Sequence, residues 1–116
     1  MLFNLLLYVI KDVYALIWRS HEPDETFNPE EFQARIPRLM EWLRSLQAGG
    51  HLVGCGGGGF EDKPGGLTLV LADSVEQARE LSCGSPMNEI GSTEIFLWDV
   101  FYANLTVLEN QSKLES

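Results

Sequence analysis

The sequence predicts an α+β fold whose elements run strand, helix, strand, strand, helix, strand. Three observations predict it. Two stretches, Asn28 to Gly50 and Ser74 to Gly84, carry apolar residues at helical spacing behind capping residues. Four other stretches are dense in β-branched, aromatic and aliphatic residues. A glycine-rich passage joins the middle two of these, as a hairpin requires.

Val13–Arg19 (VYALIWR) is the first strand, and the polar Ser20–Phe27 with Pro23 is the loop after it. Asn28 caps the first helix and Pro29 suits its first position, where a missing N–H leaves no bond unmade. Glu31 stands three residues after the cap. Phe32, Ile36, Leu39, Met40, Leu43 and Leu46 form the apolar stripe, and Gly49-Gly50 end it. Pro37 removes a donor inside the pattern, so a kink or break is expected there. His51–Cys55 and Leu67–Ala72 are the second and third strands, with a turn at Lys63-Pro64-Gly65-Gly66. Ser74 and Gln77 match a capping box; Val75, Ala78 and Leu81 form the second stripe, closed by Gly84 and Pro86. Thr93–Ala103 is a long fourth strand. This order is the split βαβ, or ferredoxin-like, arrangement: a four-stranded antiparallel sheet with two helices on one face.

The 116 residues are one domain's worth. Residues 1–12 are read as an N-terminal apolar arm, 13–108 as the domain and 109–116 as a polar C-terminal tail. The arm opens MLFNLLLYVI and meets its first charge only at Lys11, so it lacks the cationic start of a secretory signal. No apolar run approaches the ~18 residues of a membrane helix, so no membrane partner is expected. Without a signal, the glycosylation sequons at Asn104 and Asn110 read as chance matches. Cys55 and Cys83 without a CxxC exclude a disulfide framework and a cysteine-rich zinc module, and the expected compartment is a reducing cytoplasm. Eight cations against seventeen carboxylates give a net charge of −9, which argues against a nucleic-acid partner.

The strands lack the alternation of a sheet with one wet face. In the fourth, Ile95, Leu97 and Phe101 point one way while Phe96, Trp98, Val100 and Tyr102 point the other. The first and third are also apolar on both faces. Two helices cover one face only, so the other needs a cover. The simplest is the same sheet of a second subunit, giving a homodimer through sheet faces. The N-terminal arm is the competing cover.

Two segments carry a family resemblance. They are Tyr14–Gly54, with its Asn-Pro-Glu-Glu helix start and Ala-Gly-Gly-x-Leu-Val-Gly, and Leu67–Val100, with its capped helix, Ser-Pro and Gly-x-Thr-Glu-Ile. Over roughly residues 13–103 the chain resembles the YCII-related family, which implies a dimeric α+β barrel. The hairpin here is shortened to GGGGFEDKPGG, without the family's Thr-Asp-Gly-Pro-Phe. Some members carry a first-helix His proposed to pair with an Asp. Residues 28–50 hold no His, and Arg35, Pro37 and Arg38 take the polar or kinked positions, so that pair does not carry over.

Several residues are candidates for chemistry. His21, among Glu22, Asp24 and Glu25, has the surroundings of a general acid or base, though a solvated loop His is the commoner case. Asp99, on the face of Ile95 and Leu97, would need a partner if that face is buried, or would act as a catalytic acid with a raised pKa. Arg19 and Arg35 are candidates to hold a carboxylate or phosphate, against the blander reading of surface pairing with Glu. Gly54, Gly56 and Gly59 satisfy GxGxxG, but no helix start follows, so no dinucleotide cofactor is implied. The passage reads instead as a mobile hairpin, or as a close wall for a ligand with Phe60 as a contact. No His, Cys and carboxylate spacing supports a metal. The expected function is binding of a small organic molecule in a cleft between sheet and helices. The alternatives are a cofactor-free lyase, isomerase or oxygenase using His21 or Asp99, and an interaction module acting through dimerisation.

Overall fold

The computed structural model describes residues 11–22, 26–57, 64–105 and 114. The expected element order is present: β1 (Asp12–Ser20), α1 (Pro29–Ala48), β2 (Leu52–Gly57), β3 (Gly65–Ala72), α2 (Val75–Cys83) and β4 (Gly91–Trp98), with a 3₁₀ turn over Pro86–Glu89 before β4. The sheet runs β2-β3-β1-β4, with every neighbouring pair antiparallel. This is the ferredoxin-like order. Each helix carries the chain over one intervening strand, so β3 lies between β1 and β2, and β1 between β3 and β4.

Burial along β1 alternates. Tyr14, Leu16 and Trp18 are buried, while Val13, Ala15 and Ile17 are only half-buried. Tyr14 and Leu16 join Val70 and Ala72 of β3, Leu43 and Leu46 of α1 and Ala78 of α2 in one core. The core therefore lies between the sheet and both helices. By register, Leu69, Leu71, Phe96 and Trp98 share the opposite face with Val13 and Ala15. That back face is apolar, as the strand patterns predicted. Leu105 reaches it: its Cδ1 lies 3.2 Å from where a Cβ on Gly54 would stand. The N-terminal arm proposed as its cover lies, for residues 1–10, outside the described residues.

The caps form much as read. Asn28 Oδ1 accepts from the N–H of Glu30, and Ser74 Oγ from that of Gln77. Gln77 reaches back to the N–H of Asp73 rather than to Ser74. Gly50 takes the left-handed conformation, φ +77°, that ends α1 without a side chain in the way. Gly84 does not; its φ is −75°. It is small because Trp42 packs 2.8 Å from where its Cβ would be.

Two expectations need correction. Pro37 does not break α1, which runs unbroken for 20 residues. Pro37 and Gln33 are both exposed, so water can satisfy the carbonyl that the proline cannot. The fourth strand ends at Trp98 rather than Ala103. Trp98 pairs with Val13, and β1 begins one residue before that, so the edge strand runs out of ladder. Asp99 therefore lies beyond the strand, exposed, and not on a buried face.

Candidate functional site

A cleft of about 810 Å³ opens between α1 and the β2–β3 hairpin. Its cause is the glycine content of the hairpin. Gly57 pairs with Gly66, and Gly66 with Trp18, which puts both glycines on the helix face. Neither has a side chain to meet Phe32 and Ile36 above, so space remains where a core would otherwise close.

Aromatic rings form one end of the cleft. The Trp18 and Phe32 centroids stand 6.0 Å apart, and Phe27, which lines the neighbouring hollow rather than the cleft, lies 6.0 Å from Phe32. The indole of Trp18 is fixed because its Nε1–H donates to the carbonyl of Met87 at 2.8 Å. Gln47, Thr68, Ser85 and Thr93 give the lining its polar side-chain groups. Thr93 Oγ1 already donates to Asn88 Oδ1 at 2.7 Å, and Ser85 Oγ accepts from the N–H of Met87. No Asp, Glu, Lys, Arg or His lines the cleft among the described residues. Cys55 is its one ionisable side chain there, and partial burial pushes that thiol up, toward the neutral form. The surface is thus uncharged, mostly apolar, and dotted with hydrogen-bonding groups, which suits a neutral ligand with one apolar side.

The residues singled out from the sequence lie elsewhere. His21 follows β1 and is exposed; its N–H donates to the carbonyl of Ile90. It borders a smaller hollow of about 190 Å³ shared with Glu22, Glu31 and Glu89. Asp99 follows the far end of β4. Because Ser20 pairs with Gly91 at one end of the sheet and Val13 with Trp98 at the other, roughly 25 Å of strand lies between the two. They do not form an acid–base pair. Arg19 is exposed on the back face, opposite the cleft. Arg35 is engaged: its Nε donates to Glu89 Oε1 at 2.9 Å and its Nη1 to the carbonyl of Glu31. Phe60 lies outside the described residues. His51 is half-buried with Nδ1 2.8 Å from the carbonyl of Leu71.

Among the described residues, no cluster of His, Cys, Asp or Glu could hold a metal ion, and no helix is long and apolar enough to cross a membrane. Gln47 and Thr68 were not singled out from the sequence, whereas the facing pair Gly57 and Gly66 lies in the glycine passage read there as a mobile hairpin or a close wall for a ligand. The glycine pair had a signal: two glycine runs flanking one hairpin must empty one side of it.

The chain is a ferredoxin-like α+β domain with a cleft that carries no charged side chain among the described residues. No family model matches the chain. It is similar to the bifunctional fucokinase/GDP-fucose pyrophosphorylase of Arabidopsis thaliana, with 28% identity over 91 residues. That stretch is 78% of this chain and 8% of the plant protein, so the chain spans a small part of the relative's length.

Proposed function

We propose that this chain is a sugar-binding domain of a fucose-handling enzyme, with the cleft between α1 and the glycine hairpin holding the sugar. The observation that carries this is the cleft's uncharged, aromatic-ended lining. A deoxysugar such as L-fucose offers an apolar methyl-bearing side to rings like Trp18 and Phe32, and hydroxyls to Gln47 and Thr68. The similarity to a fucokinase/GDP-fucose pyrophosphorylase supports the same substrate class. Of the ligands those two activities imply, the free sugar fits best. Among the described lining residues a phosphate would meet no cation, and a chain of net charge −9 lies around it. With no carboxylate, imidazole or cation among the described lining residues, the domain's part is to hold and orient the sugar while groups elsewhere perform the chemistry.

The test is a titration of the chain with L-fucose, fucose 1-phosphate and GDP, followed by tryptophan fluorescence and amide NMR shifts. The expected result is saturable binding of fucose with shifts at Trp18, Gln47 and Thr68, and weaker binding of both phosphates. Preference for a phosphate, or shifts confined to the hollow beside His21, would overturn the reading.

The apolar back face favours a second reading, of assembly rather than of ligand. Val13, Ala15, Leu69, Phe96 and Trp98 make a surface suited to a second copy, as the YCII-related resemblance also implies. Sedimentation equilibrium distinguishes the cases, since a monomer at micromolar concentration excludes the homodimer. The free cysteines fit a cytoplasmic setting.

A further inference from the structure

We propose that Thr93 selects the ligand of the cleft by accepting a hydrogen bond from it, and that Asn88 sets this preference by holding the Thr93 proton. That the donor is a sugar hydroxyl rests on the sugar-binding reading above; the acceptor role of Thr93 does not.

The role follows from a chain of three groups. The backbone carbonyl of Ser82, a buried residue of α2, can only accept. Asn88 Nδ2 donates to it at 2.8 Å, which leaves Oδ1 as the end of that amide that meets Thr93. An amide oxygen also only accepts, so the Thr93 hydroxyl must be the donor, and Oγ1 stands 2.7 Å from Oδ1. A hydroxyl has one proton. With that proton committed to Asn88, Thr93 Oγ1 has only lone pairs left to offer the cleft.

The fold sets this acceptor beside a ring. Thr93 of β4 pairs with Trp18 of β1, so the two side chains share the helix face, and both line the cleft. The Trp18 indole is bonded to the Met87 carbonyl, in the same 3₁₀ turn that carries Asn88. Ring and acceptor are thus fixed relative to each other. The other polar groups of the lining are less selective. An amide such as that of Gln47 presents both a donor and an acceptor, and a hydroxyl such as that of Thr68 turns to suit its partner. Selection therefore falls to Thr93. A ligand that lays an apolar side on Trp18 and points an O–H or N–H at Thr93 extends the chain. An ether, carbonyl or carboxylate oxygen in the same place sets lone pair against lone pair and forfeits the bond.

The experiment uses the full chain and three variants. Thr93→Val keeps the branched shape without the oxygen, and Thr93→Ser keeps the hydroxyl. Asn88→Leu removes the acceptor and frees the Thr93 proton. The probes are L-fucose and the pair indole and benzofuran, which share one shape but carry an N–H or a ring oxygen. Amide NMR shifts follow each titration. The expected result is a preference for indole over benzofuran that falls about fivefold in Thr93→Val and in Asn88→Leu, and is kept in Thr93→Ser. Thr93→Val should weaken fucose binding by a similar factor. Where Asn88→Leu fails to fold, the two Thr93 variants decide. If the indole preference behaves in this way and fucose binds none of the four proteins, the Thr93 inference stands and the sugar reading falls. If fucose binds the parent and Thr93→Val alike and their indole preference is the same, the Thr93 inference falls and the sugar reading stands. A preference that survives in a folded Asn88→Leu would overturn the part given to Asn88. A parent that binds neither aromatic probe would overturn the whole inference.

Discussion

Arg38 meets Glu89 end-on, with Nη1 3.0 Å from Oε2 and Nη2 2.9 Å from Oε1. Arg35 adds its Nε to the same Oε1. The two arginines lie one helical turn apart on α1, while Glu89 ends the 3₁₀ turn before β4, more than fifty residues away. The clamp ties the helix layer to the entry of the edge strand. The hydrogen bonds from Arg38, joined by those from Arg35 and by both positive charges, hold the Glu89 carboxyl down to about 2, against a desolvation that pushes it up.

This clamp has a defined pH signature. A carboxyl whose folded pKa lies below its unfolded value of 4.5 adds stability that is fully present above 4.5. That contribution is lost as pH falls from about 4.5 through about 2. Glu89→Gln should therefore lower Tm modestly at pH 7, and the gap to the parent should close as the pH approaches 2. The gap at pH 7 should also shrink in high salt, because the group is solvent-accessible. Thermal melts across that range check both. A gap that stays constant with pH would mean that the clamp contributes nothing through charge.

Gly91 admits no side chain. A Cβ there would overlap the indole Nε1 of Trp18 and the carbonyl of Arg19 at once. Backbone cannot retreat, and the indole is held by its bond to Met87. Gly91→Ala should cost about 3 kcal/mol, the upper part of the range for forcing atoms into a packed site. Urea denaturation measures it. Loss of the Trp18–Met87 bond should also shift the tryptophan emission, which a simple surface effect would leave alone.

Asp99 provides the complementary case. It is exposed beyond the end of β4, so Asp99→Asn should change stability by less than about 0.5 kcal/mol. It should leave fucose binding unchanged as well, since Asp99 does not line the cleft. A large effect on either would mean that the stretch after Trp98 makes a contact its exposure does not suggest.

The elements were legible because local signals agreed with the global fold. Asn28, Ser74 and Gly50 act at the positions where the sequence placed them. The two-sided apolarity of β1, β3 and β4 also revealed that one face would lack a helix. What could not be read was where each strand finds its partner's end. Phe101 and Tyr102 look like strand residues, but β4 ends at Trp98, opposite Val13 near the start of β1. The cleft was harder still. Chemistry-bearing residues drew attention to His21, Asp99 and the arginines, whereas the cleft owes its existence to side chains that are missing. Leu114 sits in a stretch too polar to suggest burial, yet its side chain packs with Leu43 and Leu46 and its carbonyl accepts from Arg44.

If missing side chains make the cleft, restoring one should close it. Gly66 is the position to fill. It lies on the helix face beside Trp18, and the nearest atom to a Cβ placed there would be the carbonyl oxygen of Gly56, at 3.4 Å, an ordinary contact. Gly66→Val puts a β-branched side chain, favoured in strands, into the space below Phe32. Stability should hold or rise, because a strand glycine is replaced and apolar surface gains a neighbour. Fucose binding should fall by at least about tenfold, since the valine takes volume the sugar needs and blocks approach to Thr68. Paired urea denaturation and fucose titration separate the two effects. A variant that is as stable as the parent yet binds fucose equally well would place the sugar elsewhere on the domain.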